Sequence, residues 1–330
     1  NTKKWVPIGK TYSTLVPTSY PFSGNYAGNN KTINILMSYS SGTELTLGLF
    51  GYVKNGSVKD ITVSGSITTD GDSTVKLAAG IVSYLENGTV DGCVNDVSIA
   101  IKNETVQGAK IGGIVAEAMT GSKITNCISK KIVSVANANT TVCMGGIAGS
   151  AYGTLIDNVK NEKKIVCSSD SGVTAETGGI VGYLCYSKIY NSINRGQVLL
   201  SDGHAGGIVG SLFGTENKIY NCYNDNIVSV YNGYSAGIVG YAAINQSTTS
   251  VEIKNCVSYE NINESDSQKS GIINVVNSTA SDPDSIGSIS NCYWYIPSGI
   301  TLEMKGPDGS GTTVENCSSF TLNSPADEWY

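Results

Sequence analysis

The chain of 330 residues has few of the residue types that catalytic and anion-binding sites use most. His204 is its one histidine and Arg195 its one arginine. A single histidine cannot supply the paired histidines of an H-E-x-x-H zinc motif. The 27 acidic residues exceed the 21 basic ones, and the formal net charge is -6. This balance argues against nucleic acid or an anionic membrane surface as the partner.

Long apolar runs and helical patterns are also missing. No stretch of about 18 apolar residues occurs, so we expect no membrane insertion. Apolar residues do not recur with the i, i+3, i+4, i+7 spacing of a helix. The chain begins at Asn1 with neither Met nor a signal peptide, and we interpret it as a mature or trimmed ectodomain that is secreted or held at the cell surface. We found no phosphate-binding loop, and no cofactor or metal is expected.

A short glycine motif, in which Gly precedes an aliphatic pair, recurs along the chain. It reads Gly-Leu-Phe-Gly at Gly48–Gly51 and Gly-Gly-Ile-Val-Gly at Gly178–Gly182. The glycine before the pair lies at Gly48, Gly80, Gly113, Gly146, Gly179, Gly207, Gly237 and Gly271. Successive copies are 28 to 34 residues apart. A period of this size is typical of a solenoid, a propeller or another repeat array.

A second motif follows each glycine motif and reads aliphatic, any residue, Asn, Cys. Clear copies end at Cys127, Cys222, Cys256, Cys292 and Cys317. Apolar residues three apart cannot both face one core along a straight strand, because strand side chains alternate. They can do so if the chain turns a corner between them, and Asn tolerates the left-handed backbone of such a corner. The motif therefore predicts a corner at Asn.

These repeats predict an all-β fold, a right-handed parallel β-helix with three short strands per coil. A propeller is the main alternative, but its blades need about 40–45 residues each. We predict an N-terminal cap at 1–24, with Trp5 and Phe22 buried over the first coil. β-Helix repeats follow at 25–300, and 301–330 forms a final coil or C-terminal cap. The whole is one elongated domain.

Nine cysteines occur, and six of them fall in one repeat column: Cys93, Cys127, Cys222, Cys256, Cys292 and Cys317. None forms a C-x-x-C pair, which argues against a zinc site. Stacked side chains in a parallel coil point the same way, so we predict buried free thiols rather than disulfides.

Tyrosine is unusually frequent, with 19 residues against 4 Phe. Tyr190 and Tyr220 occupy matching positions in adjacent repeats, and Tyr183 and Tyr223 lie nearby in register. An outward aromatic row offers contact area with few rotatable bonds, so these four tyrosines are the predicted ligand-binding residues. The alternative is structural, because aromatic residues also suit strand faces and stack between coils. The expected partner is a host or extracellular glycan or protein, bound by a monomer.

The motif Gly48-Leu49-Phe50-Gly51 resembles the GLUG motif of bacterial surface proteins. The preceding segments Trp5–Gly9, Pro21–Tyr26 and Gly28–Ile33 resemble the region that precedes GLUG repeats, with Ala27 where that family usually has Asp. This family includes adhesin-like proteins and the non-catalytic N-terminal region of immunoglobulin-A-specific metallopeptidases. The resemblance implies a non-enzymatic extracellular β-helix for adhesion, ligand binding or use as a stalk.

Two alternatives remain open: a non-catalytic domain of a larger secreted peptidase, and a polysaccharide-cleaving β-helix enzyme. Glycoside hydrolysis needs two facing carboxylates. Repeat register brings together Asp60 with Asp91 and Asp157 with Glu162, and Asp202 and Asp225 are further candidates. Scattered surface acids also simply keep a protein soluble, and His204 is interpreted as a loop residue beside a turn. We therefore predict that the chain is not an enzyme.

Overall fold

The computed structural model describes residues 5–9, 19–102, 105–170, 172–244, 251–259, 268–274, 276–278, 287–296 and 313–320. Within these ranges every regular element is a β-strand, and the strands pair in parallel. They stack as a solenoid of about seven turns. The predicted all-β parallel β-helix is confirmed.

The strands in chain order are β1 (Asn25–Leu47), β2 (Phe50–Lys54), β3 (Ser57–Ala79), β4 (Val82–Glu86), β5 (Thr89–Asp91), β6 (Val94–Lys102), β7 (Thr105–Gly112), β8 (Val115–Ala118), β9 (Lys123–Thr125), β10 (Ile128–Ser129), β11 (Val133–Ala138), β12 (Val142–Gly145), β13 (Ala148–Tyr152), β14 (Leu155–Asp157), β15 (Lys160–Asn161), β16 (Ile165–Ser169), β17 (Ala175–Gly178), β18 (Val181–Cys185), β19 (Lys188–Tyr190), β20 (Ile193–Asn194), β21 (Val198–Gly206), β22 (Val209–Phe213), β23 (Asn217–Tyr220), β24 (Tyr223–Asn224), β25 (Val228–Ala236), β26 (Val239–Ile244), β27 (Val251–Lys254), β28 (Val257–Ser258), β29 (Gln268–Ser270), β30 (Val276–Ser278), β31 (Gly287–Ser290), β32 (Tyr293–Tyr295), β33 (Thr313–Glu315) and β34 (Ser318–Phe320).

One side of the solenoid is an eight-stranded parallel sheet whose strands each follow a glycine motif. Its order is β2-β4-β8-β13-β18-β22-β26-β30. The other two sides belong to one continuous sheet that turns the asparagine corner. Like residues stack across that sheet, as in the register of Ile156 with Ile189 and of Ile189 with Ile219. Each coil thus carries three strand segments around one apolar core.

The asparagine column forms the predicted corner. Its members have positive φ, between 50° and 63°, at Asp60, Gly92, Asn126, Asn158, Asn191, Asn221, Asn255, Asn291 and Asn316. The aliphatic residue before the corner and the cysteine after it are both buried, for example Ile219 and Cys222. Asn side chains bond from coil to coil, with Asn255 Nδ2 donating to Asn221 Oδ1 at 3.0 Å. We call this column the corner ladder.

A second polar column, which the sequence analysis did not identify, lies inside the core. We call it the inner ladder, and its members are Asn95, Ser129, Asn161, Asn194, Asn224 and Ser258, all fully buried. Asn161 Nδ2 donates to Asn194 Oδ1, and Asn194 Nδ2 donates to Asn224 Oδ1, each at 2.8 Å. Neighbouring coils therefore satisfy polar groups that burial would otherwise make costly.

The described residues of the N-terminal segment contact the first coil. Trp5 Nε1 donates to the Leu49 carbonyl at 3.2 Å, and the Phe22 ring lies 5.1 Å from that of Phe50. Both Trp5 and Phe22 are half-buried against the core. Ile8 and Phe22 also form parallel bridges to the first strand of the eight-stranded sheet. Of the predicted 301–330 segment, the described residues 313–320 pair with the coil before them, through β33 and β34.

All nine cysteines are unpaired, eight of them buried and Cys317 partly exposed. This agrees with the prediction of buried free thiols. Burial raises the pKa of Cys167 to about 12 and the pKa of Cys143 and Cys256 well above the ordinary value. These three thiols therefore stay protonated and act as small apolar groups in the core.

Candidate functional site

Tyr190 and Tyr220 are brought together as the sequence predicts. They lie opposite each other on β19 and β23, half-buried on the outer face before the asparagine corner. Their rings stack with centroids 5.3 Å apart and planes 30° apart. Lys254 lies on the next strand, β27, and its ammonium is 5.5 Å from the centroid of the Tyr220 ring. Because the stack and Lys254 occupy ring faces, the ring edges are the groups that remain available to a ligand.

Charged neighbours fix the Tyr220 end of this stack. The Tyr220 hydroxyl donates to Glu252, which also receives Lys254 Nζ at 2.8 Å and Lys218 Nζ at 3.3 Å. The Lys254 hydrogen bond, with that of Tyr220, lowers the pKa of Glu252 to about 2. Burial, with the Glu252 hydrogen bond, raises the pKa of the Tyr220 hydroxyl. The phenol therefore stays a donor and the carboxylate stays ionised across the physiological range.

Tyr223 lies just past the corner, beside a cavity of about 380 Å3. The cavity is lined by Asn221, Tyr223, Asn255, Val257, Tyr259 and Phe320. The Tyr223 hydroxyl donates to Asp225 Oδ1 at 3.0 Å, and Arg195 Nε lies 3.7 Å from the same carboxylate. This volume is at the lower end of ligand pockets, and the lining combines aromatic surface with side-chain amides.

Tyr183 lies on a different side of the coil from the other three predicted tyrosines. It belongs to β18 in the eight-stranded sheet, where its ring stacks on that of Phe213 at 5.0 Å and 19°. The left-handed residue Tyr186, with φ of 50°, stands between β18 and the corner strand β19. Tyr183 and Tyr190 are therefore separated by a turn of the coil, although they are close in sequence.

The structure shows a polar chain that the sequence did not indicate. Cys143 Sγ lies 3.0 Å from Glu176 Oε2, and His204 Nδ1 lies 2.9 Å from Ser211 Oγ. Ser211 also neighbours the Glu176 carboxyl group. Burial raises the pKa of Glu176 and lowers the pKa of His204 to about 4. Cys143, Glu176 and Ser211 are buried, on β12, β17 and β22, and His204 on β21 is partly buried.

The interpretation of His204 as a loop residue was wrong, because His204 lies within strand β21. Gly203, with φ of 125°, bends this strand just before it. The His204 ring stacks on Tyr241 with centroids 4.2 Å apart and planes 14° apart. The sequence Ser-Asp-Gly, which is typical of turns, thus marks a bend inside a strand rather than the end of the strand.

The carboxylates considered as hydrolytic pairs mostly have partners of their own. Asp91 accepts from Thr125 and Asn126 at 2.7 and 2.8 Å, and these bonds lower its pKa. Asp157 and Asp202 accept from amides of the neighbouring coil at 2.8 and 2.9 Å. Glu162 pairs with Lys160 at 2.8 Å. The contacts of Asp91, Asp157 and Asp202 give these acids a structural role in holding coil to coil, whereas the Glu162 ion pair lies within one coil.

Within the described residues, no three His, Cys, Asp or Glu side chains are grouped so that they could hold a metal ion. The part of the chain that the structure describes also contains no helical segment with the length and hydropathy of a membrane span.

Comparison with known proteins gives no relative for this chain. No protein-family model, no curated protein and no solved structure matches it.

Proposed function

We propose that this chain is a non-enzymatic, extracellular β-helix of a bacterial surface protein that binds a glycan or protein ligand. Its binding surface consists of Tyr190, Tyr220, Tyr223 and Tyr259, which we call the aromatic surface. The observation that carries the proposal is the stack of Tyr190 on Tyr220 next to the cavity of about 380 Å3 beside Tyr223.

The aromatic surface combines rigid apolar area with fixed polar groups. Tyr259 stacks on Tyr295 with centroids 4.8 Å apart, so its ring is held in place as the Tyr190 ring is. Rings that are already ordered lose little conformational entropy when a ligand binds. The amides of Asn221 and Asn255 line the same cavity and can donate to and accept from ligand hydroxyls.

The solenoid suits a stalk as well as a binding module. Each coil contacts only its neighbours, so length can be added coil by coil without changing the surface of the others. The resemblance to GLUG-repeat surface proteins, carried by Gly48–Gly51 and the segment before it, favours the same location. An extracellular glycan or protein is therefore the expected partner.

The test is a binding comparison between two tyrosine pairs. The double variant Tyr190→Ala/Tyr220→Ala should lose binding on a glycan array and to host cells, because it removes the stack. A matched control is Tyr152→Ala/Tyr186→Ala, since these rings also contact each other, at 5.2 Å, but elsewhere on the coil. The control should bind like the parent protein.

Thermal melts of both variants show whether the fold persists, and we expect similar melting temperatures. Unchanged binding by the Tyr190→Ala/Tyr220→Ala variant would remove the aromatic surface as the ligand site. Equal loss in both variants would likewise contradict the proposal, because it would trace the effect to general weakening of the coil.

A further inference from the structure

A second cavity, of about 330 Å3, lies in the concave corner between the end of β3 and the eight-stranded sheet. Lys76 and Leu77 form one wall, and Tyr52, Tyr84 and Glu117 of successive strands form the other. It lies on a different side of the coil from the aromatic surface, since β2, β4 and β8 belong to the other sheet.

Two charged side chains in this cavity have no partner among the residues that the structure describes. The Glu117 carboxyl makes no hydrogen bond and no ion pair with any described residue, and the same holds for the Lys76 ammonium. Both line the cavity, yet they do not close an ion pair with each other. Burial raises the pKa of Glu117, against the influence of Lys110 and Lys76. An incompletely solvated acid and a free ammonium therefore face the same space.

The remaining wall is already fixed. Glu86 accepts from Tyr52 and pairs with Lys54 Nζ at 2.8 Å, so its carboxylate is occupied. The Tyr52 and Tyr84 rings pack edge to face with centroids 5.1 Å apart. Leu77 and Tyr84 pack in a small apolar cluster of their own. The cavity thus presents a rigid apolar wall beside a free acceptor and a free donor.

We propose that this cavity binds a single sugar ring. Sugar hydroxyls can donate to Glu117 and accept from Lys76 at the same time. A sugar would thus give both groups a partner, whereas they do not form an ion pair with each other. The apolar C–H face of the ring would lie on Tyr52 and Tyr84, and the volume falls at the lower end of ligand pockets. With Glu86 occupied by Lys54 and Tyr52, the site holds one free carboxyl rather than the two that glycoside hydrolysis uses.

Saturation-transfer NMR on the whole chain tests this site, with glucose, galactose, mannose and N-acetylglucosamine as separate probes. At least one should give a saturable signal, with its affinity then measured by calorimetry. Glu117→Gln keeps the size of the side chain and removes its charge, and it should weaken that sugar about tenfold or more. Lys76→Met should weaken it in the same direction.

Matched controls are Glu315→Gln and Lys123→Met, at exposed positions away from the cavity; both should bind like the parent. The Tyr190→Ala/Tyr220→Ala variant should also bind normally, which separates this site from the aromatic surface. Absence of any sugar signal in the parent protein overturns the proposal. So does binding of free amino acids in place of sugars, or undiminished binding in both Glu117→Gln and Lys76→Met.

Discussion

The glycine before the aliphatic pair is required because backbone and inner-ladder atoms occupy the space where its Cβ would lie. A Cβ on Gly179 would be 2.3 Å from Asn194 Cγ and 2.0 Å from the Gly207 carbonyl oxygen. A Cβ on Gly237 would meet Ser258 Oγ at 2.1 Å. The glycine motif therefore reflects close packing against the inner ladder, and the inner ladder is polar because its members bond between coils.

His204 gives a prediction at the same scale. Its folded pKa is lowered from 6.5 to about 4, mainly by burial, while Asp202 acts in the opposite direction. Between these values the unfolded chain binds more protons, so this stabilising contribution is present above about pH 6.5 and lost as the pH falls toward 4. The shift corresponds to about 3 kcal/mol.

Urea unfolding of the parent and of His204→Gln at about pH 7 and pH 4 measures the effect. Gln can still bond to Ser211 but does not titrate. Between pH 7 and pH 4 the free energy of unfolding should therefore fall by about 3 kcal/mol more in the parent than in the variant. Using the difference cancels Glu176, Asp202 and other groups that titrate in both proteins. A pH-independent difference would show that His204 is not held neutral by its surroundings.

Among elements, the inner ladder makes the sharpest prediction, at Asn194. Its side chain bonds to Asn161, to Asn224 and to both backbone groups of Gly196. Asn194→Leu should destabilise the protein by about 3 kcal/mol or more, because it leaves buried donors unpaired and crowds Gly179. Asn194→Ser should cost about 1 kcal/mol, since Ser fills the same column at Ser129 and Ser258.

Chemical denaturation of both variants checks this order, and circular dichroism confirms that each begins as a β-structure. Similar losses for Leu and Ser would mean that the ladder bonds contribute little beyond filling space.

Elements whose signals are local could be predicted from the sequence, and elements held by neighbouring coils could not. The corner at Asn221 has its signal within four residues, Ile219–Cys222. The alternation of side chains after Cys127 does place Ser129 inward. A polar residue is stable there only if the next coil supplies a hydrogen-bond partner, and the sequence of one repeat does not show that partner. The same limit applies to Tyr220, whose cover by Lys254 comes from the following coil.

The position of Tyr183 was hidden for a different reason. In the turn after β18 the left-handed residue is Tyr186 rather than Gly or Asn. The sequence therefore does not signal that the chain passes here from one side of the coil to the next. The cavity at Glu117 was also not visible, because Lys76, Tyr84 and Glu117 come from three coils. Repeat register fixes which coils are adjacent but leaves open which charged side chains remain unpaired.

For the whole molecule, one continuous core links the coils, and the described coils differ in how well each is covered. Ile289 and Cys292 are 3% and 0% exposed, whereas Val314 in the following coil is 41% exposed and Cys317 is partly exposed. In a solenoid the stability of a coil depends on its own contacts and on its interfaces with its neighbours. We therefore expect the coil at 313–320 to open more readily than those before it.

Thiol labelling tests both the free cysteines and this gradient. In strong denaturant without reductant, all nine thiols should react with a disulfide reagent, because none is paired. In the folded protein one thiol should react quickly, and Cys317→Ser should remove that fast phase, since the other eight are buried. Burial raises the pKa of Cys143, Cys167 and Cys256, which slows these three further, because the thiolate is the reactive form. Seven or fewer reactive thiols in denaturant would reveal a disulfide, and a fast phase that persists in Cys317→Ser would show that another coil opens first.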